Sequence, residues 1–389
     1  MKVNKQQGGS LLIVLIAVVI AILEACQPRP APTPTPIPAT LTPLPPAVGT
    51  PVATVPVTHG FGASKGWWEV YFTDPPGAGT PHPESGGVDV RISELLAQTA
   101  RTLDVVAFEL NNQAITMAIL DAHRRGVAVR VVADNEHTIE DEGTTMNLLV
   151  DAGIPIVYDK RTAFMHNKFM ILDSTYVITG STNWTINDVY RNNNNLLVMR
   201  TRRAVDAYQN VFNKMFDEGQ FGPRRVGPNA SEFTVDGIPV EIHFSPEDGV
   251  VNAIQEQLAL AQHTIRFMAF SFTEDRLGLT LLDRATSGVR VEGIFETRGS
   301  ETQYSELRLL YCAGLDVRQD GNPRTMHHKV FIVDDTHVIT GSFNFSANAI
   351  ESNDENLVII HDPELARQYI AEYERVKSVS SIPSSIVCN

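Results

Sequence analysis

Two short segments carry the same set of reactive side chains. The first is Met165-His166-Asn167-Lys168-Phe169-Met170-Ile171-Leu172-Asp173, and the second is Met326-His327-His328-Lys329-Val330-Phe331-Ile332-Val333-Asp334. An imidazole can attack an electrophile or carry a proton. An ammonium group two positions on can stabilise negative charge. Residues two apart on a strand face the same side, so His166 should point with Lys168 and His327 with Lys329. His328 alternates with its neighbours and should face the opposite side. Asp173 and Asp334 lie an odd step beyond the lysines and should face away. They are read as structural carboxylates, hydrogen-bonded in a turn or in the lobe core.

Each segment runs on into a Gly-Ser-X-Asn turn, Gly180-Ser181-Thr182-Asn183 and Gly341-Ser342-Phe343-Asn344. Each then reaches an asparagine-rich step, Asn192-Asn193-Asn194-Asn195 and Asn353-Asp354-Glu355-Asn356. From His166 to Asn195 the two copies keep a constant offset of 161 with no insertion.

The elements that must hold these segments are also repeated. Trp68–Thr73 is echoed by Val240–Ser245, and a helix-like stretch follows each. Ile92, Leu95, Leu96, Thr99 and Leu103 fit one helical face, as do Ile254, Leu258 and Ala261. Buried-strand runs come next, Asp104–Phe108 and Ile265–Phe270. A second helix, Ile115–Arg125, closes at Gly126, and its counterpart closes at Gly288. Strands alternating with helices of this length predict an α/β fold, with two similar α/β/α sandwich lobes, mixed sheets and a pseudo-twofold relation. The expected organisation is a signal segment over 1–26, a Pro/Thr-rich tether over 27–60, a first lobe over 61–225 and a second over 226–389.

At this point the chain resembles the phospholipase D superfamily, whose mark is His-X-Lys-X4-Asp occurring twice. The resemblance covers roughly residues 66 to 375. It implies one active site at the lobe interface, with His166, Lys168, His327 and Lys329 as catalytic residues. Lys168, Lys329, Asn183 and Asn344 would bind the non-bridging oxygens of a phosphate. His166 would be the nucleophile that forms a phosphohistidine and His327 the acid and base, with the reverse assignment still open. Asn194 and Glu355, each 28 positions after a histidine, would orient the histidine of their own half. A carboxylate beside an imidazole stabilises imidazolium, so on this pairing Glu355 would favour His327 as the acid. No cofactor and no metal are implied, because two ammonium groups take the place of a cation. The substrate class is a phosphodiester, with a phospholipid headgroup first and DNA or RNA as the alternative.

The formal charge of −14 over 389 residues, at a pI near 5.2, argues against a dedicated nucleic-acid binder without a local basic cleft. Lys2 and Lys5 precede an apolar run, Leu11–Leu23, that suits a signal peptide and is short for a membrane span. The run ends in Leu23-Glu24-Ala25-Cys26, which resembles a lipobox in which Cys26 would be lipidated. An uncleaved anchor and ordinary cleavage remain alternatives. All three predict an exported chain; lipidation or an uncleaved anchor would make a membrane its partner at the bacterial surface, and a monomer is expected. Cys312 reads as core, and a bridge from it to Cys388 stays open. His243, His263 and His337 read as core histidines.

Overall fold

The computed structural model describes residues 51–139 and 143–388. Among these, one mixed sheet has nine strands and a second has eight. Each sheet is built around the same crossover. Strand Thr102–Ala107 feeds helix Gln113–Arg124, which returns to the parallel strand Ala128–Ala133. Thr264–Ala269, Asp275–Thr286 and Arg290–Phe295 repeat it. Parallel neighbours need such a connection, and here the helix supplies it. The Asn112 side chain starts the first of these helices by accepting from the Ile115 backbone N–H, and Gly126 ends it at φ 89°.

The strands that follow the two histidines are antiparallel hairpins, Phe169–Leu172 with Tyr176–Gly180 and Lys329–Val333 with His337–Gly341. Their turns require positive φ at two successive residues, and the chain supplies Asp173 and Ser174, then Asp334 and Asp335. Asp173 accepts the backbone N–H groups of Ala100, Arg101 and Thr102 at 2.7–2.9 Å. Asp334 does the same for Gln262, His263 and Thr264 at 2.7–2.9 Å. Both carboxylates thus close the far ends of the strands, away from the histidines.

Both faces of these strands are buried, so their sequences read as near-continuous apolar runs. Val105, Met170 and Leu172 face an outer core under the helices of the first half. Phe169 and Ile171 face inward, to a core shared by the two sheets. Helices Arg202–Phe216 and Pro363–Val379 fill that shared core with Tyr208, Phe212, Tyr369 and Tyr373, against Phe244, Val330 and Ile332. Each such side chain contributes about 1.5–3 kcal/mol on burial, which locks the two α/β/α lobes against each other.

Several expectations are corrected here. The tether does not extend through residue 60, because Ala53–Val55 pairs antiparallel with strand Gly60–Lys65. Pro51 and Pro56 flank this stretch, but its own N–H groups are free to join an edge ladder. Thr99 caps its helix and Leu103 begins in a strand, so neither belongs to the helical face. Cys312 is bridged to Cys388. His263 is exposed, whereas His243 is buried. The membrane partner and the anchored, exported location are withdrawn: among the described residues no helix is long and apolar enough to cross a membrane. Leu11–Leu23 and Cys26 lie outside the described residues. Arg225 is buried and its guanidinium binds Glu247, Asp354 and the Ser245 carbonyl.

Candidate functional site

His166 and Lys168 occupy an extended stretch between an isolated bridge at Met165 and strand Phe169–Leu172. His327 lies between the short strand Thr325–Met326 and strand Lys329–Val333. What positions both histidines is an exchange between the halves. Met165 pairs in parallel with Asp354, and Thr325–Met326 pairs in parallel with Asn192–Asn193. The segment before each histidine is therefore stitched to the asparagine-rich step of the other half. The backbone bonds His327 N–H to Asn193 O and Asp354 N–H to Phe164 O, both 2.9 Å, complete the seam.

This exchange corrects the expected pairing within each half. Glu355 meets His166, with its Oε2 2.8 Å from Nδ1. Asn194 meets His327, with its Oδ1 2.9 Å from Nδ1. A carboxylate or amide oxygen can only accept, so Nδ1 carries the proton in each ring and Nε2 keeps its lone pair. Ser342 donates to Glu355 Oε2 at 2.7 Å, and Ser181 donates to Asn194 Oδ1 at 2.7 Å. The serine of each Gly-Ser-X-Asn turn thus supports the group that orients the other half's histidine. The glycine before it lets the backbone approach. A Cβ on Gly180 or Gly341 would lie 2.4 or 2.2 Å from the carbonyl oxygen of Asn195 or Asn356.

The lysines are fully buried. Lys168 Nζ donates to the His166 carbonyl, and Lys329 Nζ donates to the His327 carbonyl at 2.8 Å. Each ammonium lies 4.7 Å from an aromatic ring centroid, Phe108 for Lys168 and Phe270 for Lys329. The same rings meet His166 and His327 edge-on at 4.6 and 4.8 Å. Sequence reasoning placed both phenylalanines in strands and gave them no part in the site. Their matching places at the ends of repeated strand runs were the available signal.

Electrostatics joins the four groups. Burial, then Lys168 and Lys329, holds His166 well below the usual histidine range. Burial, then Lys329 and Lys168, does the same to His327. Each histidine therefore feels the lysine of the other half and is neutral near pH 7. Burial pushes Lys168 down to about 8, against the pull of Glu355. Burial and then Lys168 push Lys329 well down. Burial raises Glu355 to about 7, opposed chiefly by Lys168. A buried site with two lysines whose charge burial disfavours, and two free imidazole lone pairs, can bind an anion and exchange its substituents.

Asn183 and Asn344 sit at equivalent positions, and each has a buried side-chain oxygen with no hydrogen-bond partner among the described residues. An amide can present either end to a ligand. His328 points away from the lysines, with Nε2 2.8 Å from Glu372 and Nδ1 3.2 Å from Asn195 Nδ2. Asn356 likewise donates to Asn167 Oδ1 at 2.8 Å and accepts from Thr179 and Tyr208. The asparagine-rich steps are thus a hydrogen-bonded weld between lobes.

Comparison with known proteins places the chain in a family and a fold. A family model described as "Cardiolipin synthase, PLD-like domain" matches residues 92–216 and again 254–377. The mitochondrial cardiolipin hydrolase of Xenopus tropicalis is 34% identical over 138 residues, covering 36% of this chain and 65% of that protein. The phospholipase D of Rickettsia bellii (strain RML369-C) is 34% identical over 130 residues, covering 33% of this chain and 65% of that protein. The chain thus spans just under two thirds of these relatives' length. The crystal structure of phosphatidylserine synthase from Haemophilus influenzae Rd KW20 superposes with a TM-score of 0.59 at 16% identity, over 76% of this chain and 85% of that one, a likeness of fold.

Proposed function

Because the chain belongs to the family of the cardiolipin synthase, phospholipase D-like domain, which matches it twice, we propose that it hydrolyses a phosphodiester, with a phospholipid as substrate. The observation that carries this reading is that each half supplies a histidine whose Nδ1 is held by the other half, leaving two Nε2 lone pairs in the field of the same two lysines.

A phosphodiester anion offsets the mutual repulsion of Lys168 and Lys329 and restores their charge. Asn183 and Asn344 add amide donors to its non-bridging oxygens. His166 Nε2 then attacks phosphorus. The P–N bond forms as the bond to the leaving alcohol breaks, and that alcohol takes a proton from His327, which the bound anion allows to be protonated. In the second step His327 Nε2 accepts a proton from water, the oxygen attacks phosphorus and the P–N bond breaks. Glu355 favours His166 as the nucleophile, since a carboxylate on Nδ1 stabilises the positive phosphoryl-imidazole. His327 faces a neutral amide. The lysines supply the charge stabilisation that a metal would otherwise provide.

A lipid substrate is supported by Phe108, Phe164 and Phe270 beside the histidines, by the acidic net charge and by the relatives named for lipid cleavage. The test is an assay of the purified chain with EDTA on phosphatidylcholine, cardiolipin and single-stranded DNA, with His166→Ala and His327→Ala as controls. Cleavage of lipid with chelator present, lost in both variants, is expected. Cleavage of DNA alone would transfer the site to a nuclease. Loss of activity on chelation would reject the lysine-based mechanism.

A further inference from the structure

We propose that Asp188 is the positioning residue for His327, supplying through Asn194 the charge that Glu355 supplies directly to His166. This rests on the two-histidine reading above. The two halves keep register at an offset of 161, so Asn194 corresponds to Glu355 and Asp188 corresponds to Ala349. The first half therefore has Asp and Asn where the second has Ala and Glu. The carboxylate has changed place within the half, and geometry shows where its influence goes.

Asp188 is buried, on the short helix Ile186–Tyr190. Its Oδ1 accepts from Asn194 Nδ2 at 3.0 Å, and its backbone carbonyl accepts from the same nitrogen at 3.1 Å. Two acceptors on one side of the amide leave a single sensible orientation, with Nδ2 toward Asp188 and Oδ1 toward His327. Oδ1 then fixes the proton on His327 Nδ1 at 2.9 Å and frees Nε2. Turned by 180°, the amide would offer His327 a donor, select the opposite tautomer and remove the lone pair that must accept a proton from water. The Asp188 Oδ1 is itself 3.8 Å from His327 Nδ1, close enough to stabilise the imidazolium that forms in each cycle. Its other oxygen accepts the Asn183 backbone N–H at 2.7 Å, and Oδ1 also accepts from Asn192 Nδ2 at 2.6 Å.

Those last two bonds could make Asp188 a purely structural hub, and an exchange variant separates the roles. Asp188→Ala combined with Asn194→Glu gives the first half the arrangement of the second, with Ser181 placed as Ser342 is to support the new carboxylate. It does not restore the bonds to Asn183 and Asn192. Asp188→Ala alone should lower kcat about 10²-fold with KM little changed, and Asp188→Asn should lie between it and wild type. The double variant should recover kcat to within about tenfold of wild type. Ring nitrogen NMR of His327 provides a readout that needs no turnover. The Nδ1–H tautomer should dominate in wild type, give way in Asp188→Ala and return in the double variant. Two results overturn the proposal: a wild-type tautomer in Asp188→Ala, or a folded double variant that regains neither the tautomer nor turnover. If the chain proved inactive on every phosphodiester, the function would fall while the tautomer experiment still decided the role of Asp188.

Discussion

Glu355 lies 2.8 Å from Nδ1 of His166, though 189 residues separate them in the chain. The carboxylate crosses from one lobe to the ring of the other. Neither half can therefore complete its own histidine, and the site exists only when the lobes are docked.

Replacing Glu355 by Gln keeps the shape and removes the charge. Without it, Nδ1 of His166 loses the partner that stabilises a positive ring. We expect kcat to fall about 10²-fold, with KM nearly unchanged. Steady-state kinetics beside a thermal melt would check this, and an unaltered kcat would remove Glu355 from the mechanism.

Lys168 is a fully buried ammonium, and its burial pushes it down to about 8. Such a charge serves function at the expense of stability. Lys168→Met should abolish measurable turnover, at a loss of about 10²–10³-fold or more, while the melting temperature holds or rises. A clear drop in stability would show that the lysine's bond to the His166 carbonyl matters more than its desolvation.

His337 packs against His361 at 4.1 Å between ring centroids, and burial, followed by His361, pushes it down to about 4. The unfolded chain takes up this proton near pH 6.5, before the folded chain does. The stability it contributes is whole above about pH 6.5 and is lost as pH falls through 4. Urea melts at pH 7, 5.5 and 4 should show this loss, and His337→Gln should flatten it. Parallel profiles for the two proteins would refute the assignment.

The bridge between Cys312 and Cys388 closes a separation of 76 residues and ties the tail to helix Glu306–Cys312. Reduction, or Cys312→Ser, should lower stability by about 2–4 kcal/mol. Turnover at 25 °C should be unaffected, because the bridge touches none of the histidines or lysines. Denaturation with and without dithiothreitol measures the first, and an activity assay of the reduced protein measures the second.

The repeat, the α/β alternation and the direction of each His-X-Lys pair were legible in one dimension, because strand geometry makes residues two apart share a face wherever the strand lies. The asparagine-rich steps could be seen as structured from their register alone. Which histidine each step serves could not. In-half pairing was the reading closest in sequence, and the parallel contacts of Met165 with Asp354 and of Met326 with Asn193 replaced it. The contact of Asp188 with His327 was hidden for the same reason, whereas the phenylalanines under the lysines, the edge strand at Ala53–Val55 and the Cys312–Cys388 bridge are contacts within one half that local periodicity does not record. Local periodicity dictates the direction of a side chain within its own element. The group it faces is set by how two sheets close on a common core, a relation between positions more than a hundred residues apart that no spacing records.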